Sequence, residues 1–426
     1  MRVSWHAVAE VLSYFVFLYP LVMSAVWVVG GLDFWRRRER SPERDRERWP
    51  SSWPPVTVLV PCRNEEATIA ATCENLRRLD YPDYRVIFID DASTDRTAEV
   101  IRGYLAEVPY FHLLCLQENR GKAGALNAAL AFVETPLVVV QDADTHLGRE
   151  ALKWLAAPFL RQPRLGAVTA NPIPRNRRGF WGNFQAAEFA SIIGLIKRSQ
   201  RVLGRILTVS GCATMYRTEV LRRAGGFSEA TATEDIDVTW RIQKVFCEVW
   251  FEPRALAYIQ VPTSLRQLWK QRKRWALGGW HLLRTHWDVF TDWRWRRLWP
   301  VYIDFVLGYA WAFAFVGASL LWAASAFIGI AGGISPVPAW HGAVASVVCL
   351  VQMAAAVAAN RRYDPGLPAS LFWVPWYPLV FFAVMAVAAV YTAPKGLFGS
   401  LKGAGRWQSP AREAEERPCI DLNRAA

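Results

Sequence analysis

Apolar runs near both ends of the chain enclose a longer middle part in which short apolar segments alternate with charged ones. The first run, from Val11 to Leu32, contains no charged residue and is long enough to cross a bilayer as a helix. Three arginines, Arg36 to Arg38, follow it, and basic residues favour the cytoplasmic side of a span. The pattern predicts an uncleaved membrane anchor, with its amino terminus outside and everything after Trp35 in the cytoplasm.

The late apolar runs of spanning length are Tyr309 to Ile330, Ala339 to Ala359 and Leu371 to Tyr391. Three spans after a cytoplasmic domain would place the carboxyl end outside, whereas the basic residues from Lys395 onwards favour the inside. We therefore expect one run to lie in the interface or to re-enter the membrane, either around Pro375 and Pro378 or between Trp299 and Ile330.

The middle part has the pattern of an α/β domain. Val56 to Pro61, Val86 to Ile89 and Leu137 to Val140 are short, mostly β-branched runs that are typical of buried strands. Between the first two, apolar residues from Ile69 to Leu79 recur at helical spacing. Strand, helix and strand in succession predict right-handed crossovers and a parallel sheet.

These patterns divide the chain into five parts. We expect an anchor at 1–35, a charged linker at 36–55, a cytoplasmic catalytic domain at 56–297, transmembrane or interface helices at 298–394 and a basic polar tail at 395–426.

Composition narrows the class of protein. The net charge is +13, yet 53% of the 426 residues are hydrophobic, so a membrane protein with a basic cytoplasmic face is favoured over a nucleic-acid binder. The seven cysteines form no Cys-x-x-Cys pair and the six histidines do not cluster, which argues against a zinc site and a disulfide framework.

Carboxylates follow the third predicted strand. Asp142 and Asp144 come directly after Val140 and Gln141, at the strand end where α/β sheets bind ligands. Two carboxylates so close repel unless a cation joins them, and Mg²⁺ prefers carboxylate oxygens and phosphates. The alternative is a strand that ends in a polar turn, because Asp is a common turn residue.

A second acidic pair and a basic loop suggest a nucleotide. Asp90 and Asp91 end the second strand, where Asp91 could accept the N–H of a pyrimidine ring. Lys122, next to Gly121, is placed to meet a phosphate as a point charge. The sequence lacks the dinucleotide fingerprint and the P-loop, so carboxylates and a metal would hold the nucleotide.

Two later motifs could complete the chemistry. Glu234 and Asp235 open a helix that Thr233 could cap; either they are ordinary first-turn acids, or Asp235 takes the proton of an acceptor hydroxyl. Gln271, Arg274 and Trp275 share one helix face, suited to a diphosphate and a sugar ring. The alternative there is an interfacial basic-aromatic helix, and both interpretations are compatible.

In order, these motifs resemble the family 2 processive glycosyltransferases, which include the cellulose, chitin and hyaluronan synthases. The quoted motifs are Asp91, Asp142-Ala143-Asp144, Thr233-Glu234-Asp235 and Gln271-Arg272-Lys273-Arg274-Trp275. Ser191 to Arg198, Thr233 to Asp237 and Leu268 to Arg272 are similar to bacterial poly-β-1,6-N-acetylglucosamine synthases, which make biofilm exopolysaccharide.

The resemblance implies a GT-A-like (Rossmann-like) cytoplasmic glycosyltransferase domain joined to an α-helical transmembrane region, and an inverting transfer with one general base. The residues it implies for UDP-sugar binding are Asp90, Asp91, Lys122, Asn127, Asp142 and Arg274. The metal ligands would be Asp142 and Asp144, holding Mg²⁺ or Mn²⁺. The catalytic set would be Glu234, Asp235 as the base, Gln271, Arg274 and Trp275.

The resemblance also implies partners: UDP-N-acetylglucosamine, the growing polysaccharide, the lipid bilayer of the bacterial inner membrane and a small two-span membrane subunit, with no nucleic acid. Two alternatives stay open. One is a synthase of another β-linked polymer, of the hyaluronan, chitin or cellulose type. The other is a non-processive transferase that glycosylates a lipid carrier. It would share the aspartate motifs but could do without Gln271 to Trp275 and without a tunnel for a growing polymer.

Overall fold

The computed structural model describes residues 5–39, 45–47, 49–328, 339–376, 380 and 382–401. The expected polar tail therefore lies outside the described residues beyond residue 401. Most of the expected linker at 36–55 is described, although residues 40–44 and 48 are not.

A mixed eight-stranded sheet forms the centre of the middle domain. Its strands are β1 (Val56–Cys62), β2 (Tyr84–Asp90), β3 (Phe111–Cys115), β4 (Leu137–Gln141), β5 (His146–Leu147), β6 (Leu165–Pro174), β7 (Ala213–Arg217) and β8 (Glu248–Ile259). The strand order is β3-β2-β1-β4-β7-β6-β8-β5. The three predicted strands pair in parallel, as expected, but β7 is antiparallel to both β4 and β6, and β5 is antiparallel to β8. The prediction of a parallel sheet was thus right for one half only.

The described helices are α1 (Trp5–Arg38), α2 (Ile69–Arg77), α3 (Thr97–Leu105), α4 (Gly121–Leu130), α5 (Ala151–Arg161), α6 (Gly179–Glu188), α7 (Ile196–Leu203), α8 (Thr218–Arg223), α9 (Glu234–Lys244), α10 (Leu265–His286), α11 (Trp299–Ile328), α12 (Ala339–Asn360) and α13 (Ala383–Phe398). A π-helix, Phe189–Leu195, joins α6 to α7, and 3₁₀ segments cover Trp287–Phe290, Trp293–Leu298 and Leu367–Trp376.

Two apolar layers cover the sheet. One packs α2 and α5 against one face through residues such as Leu76 and Leu155, and the other packs α4 and α9 against the opposite face through Leu126 and Val238. All five residues of β4 are buried, which explains its apolar run and leaves Asp142 and Asp144 at its carboxyl end, directly beyond the core.

Among the residues that the structure describes, three helical stretches are long and apolar enough to cross a membrane: Glu10–Arg38, Trp293–Ala324 and Gly342–Asn360. The apolar run from Leu371 to Tyr391 is not one helix. A 3₁₀ segment that contains Pro375 occupies its first part, and α13, with 16 residues, begins at Ala383. Residues 377–379 and 381, and with them Pro378, lie outside the described residues. A proline ring removes a backbone donor and clashes with the preceding turn, which suits the 3₁₀ segment. That this run lies in the interface or re-enters the membrane stays a prediction.

A buried ion pair ties the first candidate span to the catalytic domain. Arg198 of α7 donates from Nε to Oε1 of Glu39 at 2.6 Å, and neither side chain is exposed by more than 1%. Asn360, at the end of α12, accepts from Arg198 at 3.0 Å, and the Tyr363 hydroxyl donates to Glu39 at 2.7 Å. The ends of two candidate spans therefore meet the same arginine.

Candidate active site

A single cavity of about 1630 Å³ brings together most of the predicted site residues. Its lining includes Lys122, Asp142, Asp144, Glu234, Asp235, Gln271, Arg274 and Trp275. These residues come from the end of β4, the start of α4, the start of α9 and the middle of α10. Small-molecule pockets usually hold about 300–1,000 Å³, so this cavity has more room than one nucleotide-sugar needs.

Asp91 does not line the cavity. Its side chain is fully buried, and its two oxygens accept from the backbone N–H groups of Arg120 at 2.7 Å and Gly121 at 2.9 Å. Burial raises the pKa of Asp91, although these two hydrogen bonds favour the ionised form. The carboxylate therefore fixes the start of α4, and its predicted contact with a pyrimidine ring stays a prediction.

Asp90 and Asn127 also lie away from the cavity lining. Asp90 accepts from the backbone N–H of Ser93 at 3.3 Å. The Asn127 side chain donates to the carbonyl of Phe227 at 2.7 Å and accepts from its N–H at 2.8 Å. Asn127 thus holds the turn that contains Phe227 against α4, and its predicted contact with the UDP-sugar stays a prediction.

Lys122 lies between two carboxylates. Its Nζ is 2.6 Å from Oδ1 of Asp142 and 2.9 Å from Oε1 of Glu234, and it donates to the carbonyl of Gly211 at 3.1 Å. Although burial disfavours its charge, the two carboxylates raise the pKa of Lys122 above its ordinary value. The lysine predicted to meet a phosphate is therefore a fixed ammonium that also joins the end of β4 to the start of α9.

Asp142 and Asp144 offer two carboxylates beside each other at the end of β4. The Asp142 N–H donates to the carbonyl of Cys212 at 3.1 Å, and Arg175 donates to the Asp144 carbonyl at 3.1 Å, so both residues are held through the backbone. Among the described residues no three His, Cys, Asp or Glu side chains gather as a complete metal cage. Two carboxylates fit Mg²⁺ or Mn²⁺ bound together with substrate phosphates, since such ions usually keep water and phosphate ligands.

Glu234 and Asp235 differ in their surroundings although they are adjacent. Asp235 accepts from the N–H of Gly211 at 3.2 Å and from the N–H of Ile236 at 3.0 Å. Burial, together with the neighbouring Glu234, raises the pKa of Asp235 to about 6. Burial acts on Glu234 as well, but Lys122 holds the pKa of Glu234 below its ordinary value. A pair whose pKa values are pushed apart suits acid-base chemistry, and Asp235 is the member suited to act as a base near neutral pH.

Thr233 lies just before this pair, where the sequence predicted a helix cap. Its backbone does precede the first turn of α9, but its side chain makes no capping hydrogen bond. A Cβ placed on Gly278 of α10 would lie 2.1 Å from the Thr233 hydroxyl oxygen. The threonine therefore packs against the bare backbone of α10 instead of capping α9.

The predicted face of α10 forms part of the cavity wall. Gln271, Arg274 and Trp275 all line the cavity, and within the described chain the buried Oε1 of Gln271 has no hydrogen-bond partner. The Trp275 ring lies 6.4 Å from the ring of Phe189, between centroids, and 4.2 Å from the Arg272 guanidinium carbon.

The cavity continues from the carboxylates to the apolar helices. Its far part is lined by Tyr19 and Trp27 of α1, Phe305, Tyr309 and Phe315 of α11, Gln352 of α12 and Met385 and Ala389 of α13. One space thus joins the acidic end of β4 to a gap between candidate membrane spans.

Residues 54–278 match the family described as Glycosyltransferase like family 2, which is more than half of the chain. The chain belongs to this family. It is 32% identical over 415 residues to the poly-β-1,6-N-acetyl-D-glucosamine synthase of Staphylococcus aureus (strain COL), covering 95% of this chain and 99% of the relative. The synthase of the same name from Staphylococcus epidermidis is 31% identical, covering 93% and 98%. The resemblance read from the motifs is confirmed.

A solved structure supports the fold. The mannosyltransferase of Pyrobaculum calidifontis, in complex with GDP-Man and Mn²⁺, superposes with a TM-score of 0.62 at 23% identity, covering 91% of this chain and 98% of its own. The predicted GT-A-like fold is confirmed by this likeness and by the mixed sheet.

Sequence reasoning missed two buried basic residues around the cavity. Arg272 pairs with Glu188 of α6, both almost fully buried, so Arg272 supports Trp275 from behind. Lys197 of α7 lines the cavity and donates to Oγ of Ser210 at 2.5 Å. Lys197 follows eight residues, Phe189 to Ile196, that are apolar except for one serine. A lysine after such a stretch was a signal that could have been used.

Proposed function

We propose that this chain is a processive, inverting glycosyltransferase that polymerises N-acetylglucosamine from UDP-N-acetylglucosamine into a β-1,6-linked exopolysaccharide of a biofilm matrix. We propose further that the growing polymer passes along the cavity to the membrane-spanning helices. The observation that carries this proposal is the continuity of the cavity, from Asp142 and Asp235 at one end to Phe315 and Met385 at the other. The sugar and the linkage follow the staphylococcal synthases, which the chain matches over nearly its whole length.

The transfer needs one base and a stabilised leaving group. In an inverting displacement, the acceptor hydroxyl oxygen bonds to the anomeric carbon of the donor while the bond to the diphosphate breaks. Asp235 takes the hydroxyl proton, for which a carboxylate with a pKa near 6 is suited. Lys122 and Arg274 lie on the same cavity and supply positive charge to the departing diphosphate. When bound at Asp142 and Asp144, Mg²⁺ or Mn²⁺ would add further neutralisation of that charge.

The remaining predicted residues take supporting roles in this proposal. Gln271 has a buried acceptor oxygen without a partner in the described chain, so it suits a substrate hydroxyl. Trp275 offers an indole face for stacking on the acceptor sugar. Asp90 suits the uracil N–H better than Asp91 does, because both oxygens of Asp91 already accept backbone N–H groups.

The cellular setting is part of the same proposal: a multi-pass protein of the bacterial inner membrane with its catalytic domain in the cytoplasm. Support comes from the three candidate spans and from Arg36 to Arg38 at the end of the first one. We also propose a small two-span membrane subunit as a partner. Full-length polymer made by the purified chain alone in liposomes would contradict that part.

The test is synthesis by membranes that contain the full chain, supplied with labelled UDP-N-acetylglucosamine, UDP-glucose or UDP-glucuronic acid. We expect polymer from the first sugar only, degraded by a glycosidase specific for β-1,6-linked N-acetylglucosamine. The matched control is the same membrane preparation with Asp235→Asn. A product resistant to that enzyme, or a single sugar added to a lipid, would overturn the proposal.

A further inference from the structure

One wall of the cavity is formed by the π-helix and the start of α7. Phe189, Ile192, Ile193 and Ile196 contribute apolar side chains to it. π-Helical segments are rare and are often found at functional sites, because the wider turn changes which side chains face a ligand. Lys197 follows directly, so a cationic side chain enters an otherwise apolar wall.

Lys197 is buried and is held by no carboxylate at ion-pair distance in the described part of the chain. Only 4% of it is exposed, and its one hydrogen bond in the described chain is the donation to Ser210. Within that part it makes no ion pair, although an ammonium has three N–H donors. A buried charge with unused donors costs free energy unless a ligand supplies the missing acceptors. Lys122, on the same cavity, has two carboxylates and a carbonyl and needs no such ligand.

The position of Lys197 places those donors next to the base. Ser210 accepts from Lys197, and the following residue, Gly211, donates its N–H to Asp235. Burial lowers the pKa of Lys197 to about 8, while Cys212 and Asp235 favour its charged form. The side chain is therefore mostly protonated at neutral pH, close to where the acceptor hydroxyl must lie.

We propose that Lys197 determines the acceptor: it donates to the carbonyl oxygen of an N-acetyl group and excludes sugars that carry a free ammonium. This inference rests on the proposed function and specifies the class of acceptor, an uncharged N-acylated amino sugar. An acetamido group offers a carbonyl oxygen to the lysine and a methyl group to Ile193 and Ile196. An ammonium at the same place would face a like charge in a poorly solvated site, which is strongly unfavourable.

The test compares the binding of two β-1,6-linked oligosaccharides of equal length, one N-acetylated and one fully de-N-acetylated. The full chain in detergent is titrated with each at mildly acidic pH, where the amines are protonated. We expect the wild type to prefer the N-acetylated sugar by about tenfold or more, the size expected for one hydrogen bond to a charged group. Lys197→Met should bring the two affinities close together, and Lys197→Arg, which keeps the charge, should retain most of the preference.

Arg201→Met is the matched control. It removes a cation from the same helix, one turn further on, where the guanidinium stacks on Trp250 outside the cavity lining. This control should leave the preference unchanged, and UDP affinity measured for every variant reports correct folding. An unchanged preference in folded Lys197→Met overturns the inference alone. If the wild type binds UDP but neither oligosaccharide, the proposed polymerisation falls as well.

Discussion

Two pairs of adjacent acids can be compared directly: Asp90 and Asp91 at the end of β2, and Glu234 and Asp235 at the start of α9. In the sequence both pairs follow the same pattern, neighbouring carboxylates where an element begins or ends. In the structure, Asp91 is fully buried and both its oxygens accept backbone N–H groups. Asp235 also accepts two N–H groups, but it lines the cavity and its pKa is raised to about 6.

The difference shows what separates a carboxylate that supports the fold from one that can react with a substrate. Burial raises the pKa of Asp91, while the first N–H groups of α4, where the helix dipole also favours negative charge, favour its ionised form. Asp235 has a neighbour of like charge, Glu234, which makes ionisation harder and proton uptake easier. Asp91 also has an acidic neighbour that raises its pKa, so access to the cavity, more than the acidic pattern itself, indicates the reactive group.

The largest expected effect comes from Asp235→Asn, which keeps the size of the side chain but removes the base. We expect the transfer rate to fall by about 10²–10⁴, while UDP-sugar affinity changes little. Polymer yield and UDP affinity are to be measured on folded, membrane-inserted protein. Near-normal polymer synthesis would mean that another carboxylate is the base.

A third acidic pair, Asp142 and Asp144, tests whether the comparison extends to metal binding. Asp142→Asn or Asp144→Asn should reduce the UDP affinity measured with Mg²⁺ to the value measured with a chelator. Asp83→Asn, an exposed acid at the surface, is the control. Calorimetry that gives an unchanged Mg²⁺-dependent affinity for both variants would remove these residues from the metal site.

Asp91→Asn is the most direct way to break the comparison. An amide nitrogen cannot accept the N–H of Arg120 or Gly121, and losing a charged hydrogen bond of this kind costs about 1.5–3 kcal/mol. We expect a lower free energy of unfolding. The UDP affinity of the folded variant should stay within about threefold of the wild type, because both oxygens of Asp91 already accept backbone N–H groups. Asp90→Asn should show the reverse, a weaker UDP affinity with little loss of stability. A large loss of UDP affinity in stable Asp91→Asn would restore the contact predicted from the sequence.

The smallest effect is the dependence of the rate on pH. A base with a pKa of about 6 is active when deprotonated, so kcat/KM should be steady above that pH and fall as the pH drops through it. One pH unit below the pKa, we expect about a tenfold loss, since each unit changes the ionised fraction by that factor. A profile whose acidic limb lies near pH 4, the usual range for a carboxyl, would show that Asp235 is not the titrating group.

Much of this architecture could be predicted from local patterns of apolar and polar residues. The buried strands before Asp90 and Asp142 were predicted because their apolar runs depend only on burial on both faces of a sheet. The antiparallel β7 was missed, since nothing in its five residues specifies the direction in which it pairs. The 3₁₀ segment at Leu367–Trp376 was not predicted, because the sequence from Leu371 to Tyr391 was treated as one apolar run.

The residues around the cavity also divide into those that local motifs predict and those that they do not. Asp142, Asp235 and Trp275 were found because their motifs are short and ordered along the chain. The ion pair of Arg272 with Glu188 joins residues 84 positions apart, and no local pattern marks either as buried. The contacts of Asp91 with the start of α4 were not predicted for a similar reason, since its partners are backbone N–H groups that the sequence cannot display.

The ion pair between Glu39 and Arg198 has a mechanical consequence. Arg198 follows Lys197 in α7, so the end of α1 is fastened to the helix that carries Lys197 in the cavity wall. Breaking a buried pair by separating its members costs about 3–5 kcal/mol, which keeps a displaced arrangement well below one molecule in a hundred. If a polymer advances through this cavity, the sugar chain passes a wall in which the end of α1 and α7 stay joined.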